Sequence, residues 1–242
     1  MKKITFSAFL CALLFAQSCT VGTDKQDPPK VSIEVKSSFG NAPFSLLTAY
    51  DYKANKKLKF NLMQFFVSKV ELLQGTTTVP IADYAILDVG QSSAKMGNET
   101  AINPGNYTKI RFGIGVDAAT NGRNPNEFPS SSPLAASGWY WSSWNSFTFL
   151  KAEGFYDNNL GFTYHTGRDT MYRTVEIPIQ YEAKVGENKT LTLKLDLKKM
   201  FINGVDTFNI PALPQSQGEP NIPSKTAASI KIANNFQQAW SW

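Results

Sequence analysis

Apolar and polar residues alternate with a period of two through most of the chain. Val31, Ile33 and Val35 alternate in this way, as do Leu58, Phe60 and Leu62. The phase then slips through Phe65, Phe66 and Val67, and Val70 and Leu72 resume it. A slip inside a strand pattern predicts a β-bulge or a corner between sheets, with a short amphipathic helix as the competing reading. Tyr84–Val89 and Tyr107–Ile114 are further strands, separated by the turn signal Asn103-Pro104-Gly105-Asn106. Phe147–Phe155 and Phe162–His165 read as strands around Asp157-Asn158-Asn159. Val175, Ile177, Ile179 and Tyr181 alternate, then Leu191, Leu193, Leu195 and Leu197, with Gly186-Glu187-Asn188 between them. This pair is expected to form a hairpin with one buried face. Pro178 cannot donate to a ladder, which places its strand at a sheet edge. Ser229–Ile232 reads as a last strand and Ala233–Trp240 as a terminal helical turn. Period-two segments joined by turns, with no long helical stripe, predict an all-β fold: a single β-sandwich domain with long loops.

Two stretches depart from the pattern. Asp117–Ser137 is rich in Ala, Asn, Pro and Ser and is expected to be a long loop, of the kind that carries function. Pro211–Pro223 is a second Pro-rich loop. The first feeds into GWYWSSWNSFTFLKAEG, Gly138–Gly154, which holds three of the five tryptophans, Trp139, Trp141 and Trp144. Indole and phenol groups each carry a donor that needs a partner, so such a block suits a pocket wall better than plain core. His165, the chain's one histidine, follows in Phe162-Thr163-Tyr164-His165.

The N-terminus changes the expected location. Lys2 and Lys3 precede an apolar run, Ile4–Ala16, too short to span a bilayer, so residues 1–18 read as a signal peptide. The run ends at Ser18-Cys19, which looks like a lipobox. Cys19 would be lipidated, and residues 19–30 would tether the lipid to a domain at 31–242. The expected location is the cell envelope, as an outer-membrane lipoprotein facing the periplasm or the cell surface. The other cysteine, Cys11, lies in the leader, so the mature chain has no thiol for a disulfide, a metal site or a nucleophile. The formal charge of +5 includes the leader lysines, and no basic stripe marks a nucleic-acid surface.

Catalytic signatures are missing. The chain has no GxSxG, no HExxH and no glycine-rich phosphate loop, so it is not expected to be an enzyme. His165 is either a structural strand histidine or a metal ligand or binding-site donor. Glu153 is a solvent-facing carboxylate, one paired with Lys151 or Arg168, an acceptor for an indole N–H, or a partner orienting His165.

Several motifs, in order, resemble the MbnP-like family. They are Leu62-Met63-Gln64-Phe65-Phe66-Val67-Ser68 leading to Val70-Glu71-Leu72, Gly113-Ile114-Gly115-Val116-Asp117 with Asn121, and Pro133-Leu134. Trp139-Tyr140-Trp141-Ser142 with Trp144, Phe149-Leu150-Lys151-Ala152-Glu153-Gly154 and Phe162-Thr163-Tyr164-His165-Thr166-Gly167 follow. Asp196-Leu197 and Ile232-Ala233-Asn234-Asn235 complete the series. The resemblance covers about Val31 to Trp240. It implies a β-sandwich of the cell envelope that binds copper, of a type found in methane-oxidising bacteria and in Bacteroidetes lipoproteins. It further implies a tryptophan oxidised to kynurenine by a di-haem partner enzyme, with the modified residue joining histidines at the metal. Carried over, His165 takes the histidine position, and the modified residue falls among Trp139, Trp141 and Trp144. Glu153, Asp117 and Met171 are further candidate ligands. The chain departs from the pattern at Asn221–Lys225, where relatives carry a further histidine and this sequence has none. The resulting expectation is non-catalytic copper handling. A carbohydrate- or small-ligand-binding surface lipoprotein, using Trp139, Tyr140, Trp141, Asn145 and Glu153, is the alternative, and a scaffold with a degenerate metal site is the third.

Overall fold

The computed structural model describes residues 27–90, 93–157, 159–216 and 223–242. The leader, Cys19, most of the tether and Asn221–Ile222 lie outside these residues. Eight long strands carry the fold: β1 (Lys30–Phe39), β2 (Lys57–Gln74), β3 (Thr77–Asp88), β4 (Gly105–Ile114), β5 (Ser146–Tyr156), β6 (Leu160–Gly167), β7 (Arg173–Ala183) and β8 (Asn188–Asp196). One helix, α1 (Pro223–Gln237), closes the chain. Among the described residues no helix is long and apolar enough to cross a membrane.

The strands form the expected sandwich. In the smaller sheet β1 and β8 pair in parallel, Val31 beside Lys189 through Ser38 beside Asp196. Trp240–Ser241 extends the outer edge of β8, and the two-residue pieces Ala42–Pro43, Ala94–Lys95 and Thr100–Ala101 line β1. In the larger sheet the order is β7, β4, β2, β5, β6, with β3 along the other edge of β2. The inner faces meet in one core. Val31, Ile33, Val35, Leu191, Leu193 and Leu195 face Leu58, Phe60, Met63, Phe65, Val67 and Leu72, all essentially dry.

The long strand β2 organises the larger sheet. One of its edges pairs with β5 along Leu58–Phe65 and with β4 along Val67–Leu73. The sheet therefore forks at Phe66, whose carbonyl accepts the Gly115 amide at 2.9 Å. The phase slip marks this fork and two bulges that flank it. The pairing with β5 skips a residue between Phe60 and Leu62, and that with β4 skips one between Ser68 and Glu71, where Lys69 has φ 49°. Phe65 to Ser68 are buried in succession because both faces are covered there. Phe65 points to the main core, and Phe66 points to a second core on the outer face.

Two expectations are corrected. The Val175–Tyr181 and Leu191–Leu197 segments do not form a hairpin: β7 pairs with β4 in the larger sheet and β8 with β1 in the smaller one. The turn at Gly186 (φ 79°) carries the chain from one layer to the other. Pro178 does lie in an edge strand, since among the described residues β7 pairs with β4 alone. Ser229–Ile232 is not a strand but part of a helix that runs on into the expected helical turn at Ala233. Ala228, Ile232, Ala233 and Phe236 fall on one face at helical spacing and are buried. Phe236 meets Phe65 edge-on at 5.0 Å.

Candidate functional site

The second core is where the loop expected to carry function folds back over the outer face of the sheet. Phe66, Val116, Leu134, Trp139, Phe147, Phe149 and Met171 build it. Trp139 meets Phe66 edge-on at 4.9 Å, an arrangement that aromatic quadrupoles favour. Gly115, at φ 102°, is needed here: a Cβ at this residue would lie 2.3 Å from the Phe149 ring. Asn121, 3% exposed, fastens the loop. Its Oδ1 accepts from the Phe147 amide (2.9 Å) and the Ser146 hydroxyl (3.1 Å), and its Nδ2 donates to Asp169 Oδ1 (2.9 Å).

Beyond the margin of this cap, strand register aligns a polar row across four strands. His165 on β6 lies opposite Lys151 on β5, Lys151 opposite Gln64 on β2, and Gln64 opposite Asp88 on β3. Glu153 stands opposite Thr163, two residues from His165, and so is a diagonal neighbour within reach of a long side chain. His165 Nε2 lies 2.8 Å from Glu153 Oε1. The His165 side chain is 14% exposed and that of Glu153 is 32%. Burial pulls the imidazole below its ordinary value; the Glu153 carboxylate opposes that and Lys151 adds to it. Lys151 is itself held low by burial, with Glu153 opposing. Its ammonium donates to the Gly138 carbonyl at 2.6 Å and lies 4.1 Å from the centre of the Trp139 ring, a cation–π contact.

The candidate residues therefore divide into three groups. His165 and Glu153 pair directly, and Trp139, 6% exposed, is linked to them through Lys151. Trp141 and Trp144 stack on each other, 4.9 Å apart and 12° from parallel, beside Gly167 and Arg168. Asp117 is engaged with the Tyr84 hydroxyl and with Lys69 at 3.4 Å. Burial raises the Asp117 carboxyl, but these two partners outweigh it and hold it below its ordinary range. Met171 is buried in the second core, of which Trp139 is also a member. Among the described residues no three His, Cys, Asp or Glu side chains gather as a metal-ligand set. Sequence reasoning did not single out Gln64, Tyr84 or the fastening role of Asn121. Gln64 and Lys151 are set side by side by strand register, which the pattern along either strand alone does not carry.

The fold and this site define an open β-sandwich with an aromatic cap over one end of its larger sheet and a histidine–carboxylate pair beside the cap. A scan of protein families matches MbnP over residues 28–218. Among solved structures, MbnP from Methylosinus trichosporium is similar, with a TM-score of 0.50 and 15% identity over 82% of this chain and 86% of that one. Comparison with curated protein sequences finds no match. The chain belongs to the MbnP family.

Proposed function

We propose that the protein is a cell-envelope lipoprotein, anchored through Cys19, that binds copper without catalysing a reaction. The observation that carries this reading is the His165–Glu153 pair at 2.8 Å on the outer face of β5 and β6. A neutral imidazole and a carboxylate are donors that suit Cu(II), and burial favours the neutral form of the imidazole. Two donors this close can serve one ion. The set is incomplete, so a third donor must come from elsewhere. Of the three tryptophans, Trp139 is the one tied to this pair, since Lys151 lies on its ring and faces His165 across the strands. A kynurenine at Trp139, made by a di-haem partner enzyme, is therefore the proposed third member. When bound, copper would be held by His165 and Glu153, with Gln64 and Lys151 forming the neighbouring row.

The test is a Cu(II) titration of the mature protein followed by electron paramagnetic resonance. The expected result is one bound ion with a nitrogen in its coordination sphere, lost in His165→Ala and weakened in Glu153→Gln. An unchanged spectrum in His165→Ala would remove the reading. For the anchor, Cys19→Ala is expected to move the protein from the membrane fraction to the soluble one.

A further inference from the structure

A polar recess lies just past the end of β6, where Arg168 and Asp169 follow Gly167. It has a volume of about 280 Å³ and is lined by Asn121, Gly122, Trp144, Asn145, Arg168 and Asp169 among others. Several features set it apart from an ordinary surface dip. Arg168 has φ 67° and ψ 154°, a backbone conformation otherwise nearly confined to glycine. Its Nε is buried with no hydrogen-bond partner, although a guanidinium has five donors to satisfy. The Arg168 group lies 5.9 Å from the Trp144 ring, and Asp169, the adjacent acid, is turned to Asn121 instead. Asn145 is also left-handed, at φ 48°, and its Oδ1 accepts from the Tyr140 hydroxyl at 2.8 Å. A strained backbone that presents a guanidinium at one recess is a feature that a bound ligand offsets.

The chemistry of the lining identifies the ligand class. Arg168 offers donors, the second Asp169 oxygen is an acceptor, and the Asn145 amide nitrogen is a donor. A cation and an anion side by side suit a group that both gives and takes hydrogen bonds, as adjacent hydroxyls do. Beside the recess stands Trp141, 37% exposed, with one face stacked on Trp144. An exposed, rigid indole offers a flat apolar surface to the C–H face of a sugar ring. The volume is of the size a single ring needs. We infer that the recess formed by Trp144, Asn145, Arg168 and Asp169 is a binding site for one neutral hexose-type ring, with Trp141 as its stacking platform. It shares no side chain with the His165–Glu153 pair, so its failure and that of the copper reading are separate.

The test is intrinsic tryptophan fluorescence of the mature protein titrated with glucose, galactose, N-acetylglucosamine and glucuronate, with calorimetry on any sugar that responds. A saturable change with at least one neutral sugar is expected. Arg168→Gly provides the sharpest variant. Glycine accepts the backbone conformation of residue 168, so this protein should melt at a higher temperature while its affinity falls at least tenfold. Gly122→Leu fills the recess from its wall. Residue 122 has φ −83°, and an added Cβ would meet Asn145 Nδ2 at an ordinary 3.5 Å. This variant should fold normally and lose the response. No saturable response to any neutral sugar would overturn the inference. So would a response retained in both variants, or one confined to glucuronate, which would mark a carboxylate site instead.

Discussion

Gly154→Ala is a single-methyl change that tests how the site is held. Gly154 lies on β5 next to Glu153, where the pairing with β2 changes register. A Cβ at this residue would stand 2.1 Å from the Lys59 carbonyl oxygen, 2.9 Å from Phe60 Cα and 2.8 Å from the Phe162 ring. Two of those atoms are main chain and cannot rotate away, so β5 and β2 must part locally. Overpacking of this kind costs about 1–3 kcal/mol. Losing one or two ladder hydrogen bonds adds about 1 kcal/mol each. The sum, about 2–5 kcal/mol, is a large share of the roughly 5–15 kcal/mol that holds a domain. In urea denaturation, with a slope of roughly 3 kcal/mol per molar, the midpoint should fall by about 0.7–1.7 M. Gly161→Ala is the control, because its nearest neighbour would be the Gly154 carbonyl at 4.0 Å and its cost should be below about 1 kcal/mol. Equal midpoints for Gly154→Ala and wild type would refute the packing argument and the account of how Glu153 is aimed at His165.

Other expectations follow from the same geometry. His165 is the one histidine, so its ring proton gives a single resonance whose midpoint should lie below 6.5; Glu153→Gln should lower it further and Lys151→Met should raise it. Since the folded value is depressed, the unfolded chain takes up this proton first as pH falls. Stability should therefore be lost as pH drops from about 6.5 through the folded value, and His165→Gln should flatten that part of the curve. Asn121→Ala leaves the buried Phe147 amide without its acceptor, while the Ser146 hydroxyl keeps the Phe147 carbonyl at 2.9 Å; the change should cost about 1–3 kcal/mol in denaturant melts and increase proteolysis of the 117–137 loop.

The strands were legible because alternation on a half-buried sheet is a local property of the sequence, as in Val31–Val35 and Leu191–Leu195. Their partners were not. A strand buried on one face shows the same pattern in either layer, so nothing in Val175–Tyr181 or Leu191–Leu197 says that β7 and β8 part company. The first part of α1 reads as a strand because small residues, Ala228, Ser229 and Ala233, fill much of its buried face, while Ile230 and Ile232 imitate a strand; the helical turn expected from Ala233 is its last part. At the site, the aromatic block and His165 were visible as unusual residues, and Glu153 as a carboxylate in reach. That Trp139 and the Trp141–Trp144 pair serve different places was not visible. It depends on the left-handed turn at Asn145 and on the bulge where β5 meets β6 between Thr148 and Leu150. Arg168 is the plainest example of hidden information, since its identity gives no sign that its backbone has the conformation of a glycine.

The most direct measurement is the intact mass and metal content of the protein purified from its native envelope, with peptide mapping across Gly138–Gly154. The account predicts an oxidised tryptophan at Trp139, stoichiometric copper, and loss of that copper in His165→Ala. Unmodified tryptophans together with no copper, even after exposure to excess Cu(I) and Cu(II), would contradict it.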